Sequence, residues 1–230
     1  MLRAIIFDCD GVIVDSEPLH FKAFRQTLET EGIALTANEY YSTYLAMDDK
    51  GCFEAVLKTH HRACEQSDLK RLILHKKSIY QTLSHEGAQI YPGVVDFVKR
   101  VQGHYKLAIA SGAFRSEIKA ALDYAGIRAA FPVIVSAQDV KRGKPDPEAF
   151  LTALEKLNVL YHPVPLIRPE ECVVIEDSHH GIKAASLAGM KTVAVTSSYA
   201  RSVLEKIADC VVDGLSELGR DDLEKLCKTN

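Results

Sequence analysis

The sequence lacks most of what would tie a chain to a membrane, a nucleic acid or a disulfide framework. No stretch approaches the run of about 20 apolar residues that spans a bilayer. A strand pattern begins almost at the first residue and leaves no room for a secretory leader, so a cytoplasmic protein is expected. The net charge is only −3, too small to argue for nucleic acid or an anionic membrane as partner. Six cysteines occur, at 9, 52, 64, 172, 210 and 227, but none forms Cys-x-x-Cys, and their spacings suit neither zinc nor a disulfide scaffold. Cys9, Cys172 and Cys210 fall in strand-like stretches and read as small reduced core residues. The nine histidines form no His-x-x-x-His or similar cluster, so histidine metal ligation is not indicated. Internal repeats and low-complexity tracts are absent.

What remains is a globular balance, 47% apolar and 26% charged over 230 residues, enough for one domain with an insertion or for two small domains. Ile5, Ile6 and Phe7 form a short apolar run of the kind buried on both faces of a sheet. After Asp15 the periodicity becomes helical. Ser16 is placed as an N-cap with Pro18 in the first turn, and Phe21, Phe24 and Leu28 share a face. Thr36 and Glu39 have capping-box spacing ahead of Tyr40, Tyr41 and Tyr44, which read as core. Asp48 can open a third helix. Ser67 or Asp68 can open the longest, with Leu69, Leu72, Ile73, Tyr80 and Leu83 at helical spacing. Residues 16–87 thus hold four helices and no convincing strand.

From residue 88 onward strands and helices alternate. Strands are expected at 107–110, 133–136, 172–176, 192–195 and 210–212. Helices are expected at 94–101, 115–125, 147–157, 180–188 and 200–207, with a last one at the end. This order predicts an α/β chain with a parallel, Rossmann-like sheet flanked by helices. Its core is 1–15 with 88–230, and 16–87 is a small inserted helical cap domain.

Ligands of open α/β sheets gather outside the carboxyl ends of the strands. Asp8 and Asp10 sit there, just past the first strand. Alone, an Asp-x-Asp-Gly serves equally well as a turn. Three further stations share that edge: Ser111 and Gly112 after the second core strand, Lys144 before a helix, and Glu176 with Asp177 at the end of 172–176. Each has a plain alternative: a turn, an exposed lysine, a helix N-cap.

In this order the segments Asp-Cys-Asp-Gly-Val-Ile-Val-Asp-Ser-Glu at 8–17, Ser111-Gly112, Lys-Pro-Asp-Pro at 144–147 and Glu-Asp-Ser-x-x-Gly at 176–181 resemble the haloacid dehalogenase-like hydrolases. They are most similar to the branch holding β-phosphoglucomutase and related sugar-phosphate phosphatases. The resemblance covers essentially the whole chain. It implies that Asp8 is a nucleophile forming an aspartyl phosphate, with Asp10 as general acid–base. It further implies that Ser111 and Gly112 cradle phosphate, that Lys144 offsets repulsion at Asp8, and that Mg²⁺ is held by Asp8, the Asp10 carbonyl and Asp177, with Glu176 as ligand or outer partner.

By the same resemblance Ser16, His20 and Lys76 of the cap face substrate. The implied partner is a small phosphorylated metabolite, with no nucleic acid and no membrane, for a monomer or weak dimer. Two mutase features are missing. Asp49 stands where the mutase's cap loop carries an arginine, and residues 111–115 depart from its second motif, though Arg115 could replace the lysine there. A phosphatase is therefore expected. The alternatives are a β-phosphoglucomutase-type mutase and, more distantly, a silent binding protein. Residues 158–169, with three prolines, exceed the family's usual length and read as an ordered surface or contact loop leading to the amino end of a strand.

Overall fold

The computed structural model describes all residues except Ala46, Asp48, Cys64, His85, Glu86, Ala88, Thr229 and Asn230. The expected helix start at Asp48 and the cysteine at 64 lie outside the described residues. The chain divides into two compact units, Met1–Asp15 with Ala88–Asn230, and Ser16–Gly87.

The larger unit is an α/β layer structure. Six strands, β1 (Ala4–Phe7), β4 (Lys106–Ala110), β5 (Val133–Val135), β6 (Cys172–Glu176), β7 (Lys191–Val195) and β8 (Cys210–Val212), pair in parallel in the order β5-β4-β1-β6-β7-β8. β1 lies near the centre because it is buried on both faces and flanked on both edges. Ile5 and Phe7 point into one core with Leu107, Ile109, Val173 and Ile175. Ala4 and Ile6 point into the other with Ala108, Ala110, Cys172 and Val174. That two-sided burial is why these strands read as continuous apolar runs, with no alternation.

The first core is covered by α5 (Val94–Val101), α6 (Arg115–Tyr124) and α10 (Arg220–Leu226); the second by α7 (Glu148–Tyr161) and α8 (His179–Leu187). A short helix α9 (Arg201–Leu204) covers the region between β7 and β8. Register brings the strand ends level: Phe7 pairs with Ile109 on one side and with Ile175 on the other. The residues following β1, β4 and β6 therefore emerge together.

Three features differ from the sequence expectation. A two-stranded antiparallel ladder, β2 (Val14–Asp15) with β3 (Gln89–Ile90), closes the chain where the helical insertion leaves and returns. Two residues per strand are too few to show a period. α7 runs four residues beyond 157, because Asn158 is not a helix breaker and the first proline lies at 163. The helix ends at His162, whose left-handed backbone caps it. α9 stops at Leu204, shorter than the expected 200–207.

In the helical unit, α1 (Glu17–Glu29), a short α2 (Ala37–Glu39) continuing as a π-turn (Tyr40–Tyr44), α3 (Asp49–Thr59) and α4 (Gln66–Ser84) enclose a core of Phe24, Leu28, Tyr40, Tyr44, Phe53, Leu69 and Leu72. Tyr41 is exposed, so only two of the three tyrosines are core. The Thr36–Glu39 capping box forms reciprocally. Ser16 occupies the N-cap position of α1, but its side chain makes no capping hydrogen bond. No helix among the described residues is long and apolar enough to cross a membrane.

Candidate active site

The strand ends of the α/β unit assemble a buried charged cluster from three separated parts of the sequence. Asp8 continues β1 and Glu176 ends β6 one register step away. Lys144 arrives from the long connection after β5. Its Nζ lies 2.9 Å from Asp8 Oδ1 and donates a hydrogen bond of 2.6 Å to Glu176 Oε1. Asp8 Oδ1, which is buried, is ion-paired to this ammonium and has no other polar partner among the described residues. Both oxygens of Glu176 are taken. Oε1 holds Lys144, while Oε2 accepts from the Asp177 and Ser178 backbone N–H groups and the Ser178 hydroxyl, each at 2.9 Å. Ser178 in turn caps α8, its Oγ accepting from Gly181 N at 3.0 Å. Glu176 thus stands as counter-ion to Lys144 and anchor of the helix start.

One carboxylate oxygen each of Asp8, Glu176 and Asp177 fall within 4.8 Å of one another. Three buried acids against one ammonium leave negative charge uncompensated, and the protonation equilibria register it. Burial, opposed by Lys144 but aided by Glu176 and Asp10, pushes the Asp8 carboxyl up to about 7. Burial, with Glu176 and Asp8 nearby, pushes Asp177 up to about 8. Burial also works against charge on Glu176 and Lys144, but it is outweighed, for Lys144 by Asp8 and then Glu176, and for Glu176 by Lys144 and then the Ser178 hydrogen bonds. The carboxyl is held below its ordinary value and the ammonium above its own. Asp8 and Asp177 together, in an all-oxygen set short of positive charge, fit a hard divalent cation.

Two glycines make room for these groups. A Cβ on Gly11, whose φ is +74°, would lie 2.0 Å from Asp177 Oδ2. One on Gly181 would lie 1.7 Å from Glu176 Oε1. Two serines not anticipated from the sequence complete the cluster: the Ser198 hydroxyl donates to Asp177 Oδ2, and the Ser197 hydroxyl donates to the Gly11 carbonyl. Their only signal is the Thr-Ser-Ser run at 196–198, just past β7, at the same carboxyl edge.

Ser111 follows β4 and is buried, its Oγ accepting from Ala113 N at 3.1 Å. Gly112 beside it has open space where a Cβ would stand. Cys9, between the two acids, is buried, and burial together with Asp10 and Asp8 raises its thiol well above the ordinary value, so it is not a thiolate. Arg115 opens α6, and its Nη2 lies 2.6 Å from both Asp139 carboxylate oxygens. Asp139 also accepts from the Ser136 backbone and hydroxyl and from Lys156. Burial works against that charge, yet these bonds hold the Asp139 carboxyl well below its usual range. Arg115 therefore ties α6 to the loop after β5, through a partner 24 residues away that no local pattern announces.

In the helical unit, Lys76 is buried on α4. Its Nζ donates to Asp49 Oδ1 at 2.6 Å and to His20 Nδ1 at 2.8 Å, and lies 4.5 Å from the Phe24 ring centroid. Because Nδ1 accepts, the His20 proton sits on Nε2. The ring stacks on Tyr80 at 4.3 Å. Burial, reinforced by the neighbouring Lys76 charge, depresses the imidazole to about 3. Ser16 is buried at the head of α1.

The haloacid dehalogenase-like hydrolase family model matches residues 2–189. The chain belongs to that family. This haloacid dehalogenase-like chain is 33% identical over 195 residues to a phosphorylated carbohydrates phosphatase of Thermotoga maritima, covering 84% of each chain. It is 32% identical over 199 residues to the fructose-1-phosphate phosphatase of Escherichia coli K12, covering 83% of this chain and 95% of the relative. Among solved structures it is similar to a β-phosphoglucomutase from Clostridium difficile, with a TM-score of 0.75, 26% identity, and coverage of 99% and 97%.

Proposed function

We propose that this family member is a Mg²⁺-dependent phosphatase that hydrolyses a small phosphorylated metabolite, a sugar monophosphate, through an aspartyl phosphate on Asp8. The observation that carries the reading is the Lys144 ammonium set between Asp8 and Glu176 in a buried acid cluster, 2.9 Å from the first and 2.6 Å from the second. An anionic nucleophile and an anionic phosphate repel, and a fixed cation beside the nucleophile offsets that repulsion. The names of the relatives agree with it.

On this reading an Asp8 oxygen attacks phosphorus, and the bond to the sugar oxygen breaks while Asp10 gives that oxygen a proton. Water then attacks the same phosphorus, Asp10 takes its proton, and the bond to Asp8 breaks to release phosphate. The Ser111 hydroxyl and Gly112 N–H orient the phosphoryl oxygens. Asp8, Asp177 and the Asp10 carbonyl would hold Mg²⁺, with Glu176 as the counter-ion of Lys144. When bound, the cation neutralises phosphoryl charge. Ser16, His20 and Lys76 remain the proposed sugar contacts of the helical unit.

A mutase must hold a second phosphate, which calls for a cation available to it. Lys76 is already paired with Asp49 at 2.6 Å, and His20 is neutral at pH 7. Both favour the phosphatase. The test is a screen of phosphorylated sugars for released phosphate, run beside an assay for isomerisation of β-glucose 1-phosphate primed with bisphosphate. Phosphate release from one or a few sugar monophosphates is expected, abolished in Asp8→Asn with an unchanged circular dichroism spectrum. Efficient isomerisation with negligible phosphate would overturn the phosphatase reading.

A further inference from the structure

Just past β7 the chain carries two adjacent hydroxyls that the reaction as drawn does not use. Ser197 donates to the Gly11 carbonyl, 186 residues away, and Ser198 donates to Asp177 Oδ2, 21 residues away. In the sheet β7 lies beside β6, and β6 beside β1. One dipeptide at the carboxyl edge therefore holds both the turn after β1 and the acid after β6.

The two contacts act on different parts of the site. The Ser198 hydroxyl is the only hydrogen-bond donor to the Asp177 carboxylate among the described residues. The last torsion of an aspartate side chain is soft, so its oxygens hold one orientation only where a partner fixes them. A hydroxyl does this without supplying positive charge, so the cluster keeps its attraction for a cation; an ammonium in its place would compete with that cation. Ser197 works on backbone. The Gly11 N–H donates to the Val14 carbonyl at 2.9 Å, which orients the peptide whose oxygen is the Asp10 carbonyl. Ser197 orients the next peptide. Between them sits Gly11 at φ +74°, where glycine alone would leave the turn permissive.

The dipeptide is itself anchored on both sides. The Thr196 N–H donates to the Val212 carbonyl at 3.1 Å, and its hydroxyl donates to Asp213 Oδ1 at 2.9 Å, tying the connection to β8. The Tyr199 ring meets His179 of α8 edge-on, centroids 4.4 Å apart, and packs against Ile182, Ala194 and Leu204. Ser197 is exposed and Ser198 half-buried, so water can replace either hydroxyl at little cost to folding. What water cannot replace is the fixed direction of each bond.

We infer that Ser198 is a positioning residue for Asp177, and Ser197 for the Asp10–Gly11 turn, the pair preorganising the oxygen set for the divalent cation. This rests on the cation reading proposed above. Mg²⁺ demands near-ideal octahedral geometry, and hydrogen-bonding partners of ligating carboxylates are worth about 10–100-fold in metal affinity.

The test is titration of the full chain with Mn²⁺, without substrate, following the free ion by electron paramagnetic resonance and then competing with Mg²⁺. Ser198→Ala should bind both ions at least about tenfold more weakly, with an unchanged circular dichroism spectrum and an unchanged urea midpoint in EDTA. Ser198→Thr keeps the hydroxyl and should stay within about threefold of the wild type. Ser197→Ala should weaken binding by a smaller factor, because it acts through the backbone. Binding that is lost in Asp177→Asn but unchanged in Ser198→Ala would overturn the inference and leave the phosphatase reading standing. Equal losses in Ser198→Ala and Ser198→Thr would make the effect one of packing and overturn it as well. A wild type that binds neither ion would overturn the inference together with the proposed cation.

Discussion

At the scale of single residues, the acid cluster is shaped as much by absent side chains as by those present. With a Cβ on Gly181 set to meet Glu176 Oε1 at 1.7 Å, alanine there forces that carboxylate to move. Lys144 loses its hydrogen bond when Glu176 moves, and with it the position 2.9 Å from Asp8. Gly181→Ala should therefore lower turnover by about a hundredfold or more, the size of effect expected when one aligned charge-stabilising group is displaced. Ordinary helix propensity predicts the opposite sign for stability, a gain of up to about 1 kcal/mol. Steady-state kinetics with a generic aryl phosphate, alongside urea unfolding, separates the two. A variant with normal turnover would show that the Glu176 and Lys144 geometry is dispensable. Gly11 follows the same logic against Asp177, with a positive φ adding to the strain.

At the scale of elements, the helical unit joins α1 to α4 through a polar contact of unusual make-up. His20 on α1 accepts from the buried Lys76 on α4, and Asp49 at the start of α3 completes the set. The His20 imidazole is depressed to about 3, first by burial and then by the Lys76 charge, whereas an unfolded histidine titrates near 6.5. Between these values the unfolded chain binds the extra proton and the folded one does not. The contribution of His20 to stability is thus complete above about pH 6.5 and is lost progressively as pH falls toward 3. Full linkage would give about 1.4 kcal/mol per pH unit; the partly open ring reduces this to roughly 1. Urea midpoints at pH 7 and pH 5 should therefore move farther apart in the wild type than in His20→Gln. Equal shifts in the two proteins would place the imidazole in solvent.

At the scale of the whole molecule, the sheet's function is to bring like charges together and leave them short of a counter-charge. Asp8, Glu176 and Asp177 meet only because β1 and β6 pair in register, and one lysine does not balance them. A cation bound by the folded chain alone stabilises it in proportion to the logarithm of its concentration, about 2.7 kcal/mol at a hundred times the dissociation constant. Near-saturating Mg²⁺ should therefore raise the melting temperature by several degrees, at about 2–4 °C per kcal/mol for a chain of this size. Asp177→Asn should lose most of that rise, and exhaustive EDTA should stop turnover. A melting temperature indifferent to Mg²⁺, together with full activity in EDTA, would contradict the proposed cation.

Much of this was legible in the chain itself. The runs at 5–7, 107–110 and 172–176 announce strands buried on both faces because burial on both faces leaves no polar position between. Acids placed just past such runs stand at the carboxyl edge by topology alone, so Asp8, Asp10, Glu176 and Asp177 could be named before any coordinate. Other facts depended on distance across the fold. Lys144 meets Glu176 across 32 residues, and Ser198 meets Asp177 across 21. Arg115 is held by Asp139, and both Glu176 oxygens are engaged. Periodicity records which face a residue turns to the core, but not which side chain of a distant element waits there. That information arises only when strand register and helix packing bring the elements together.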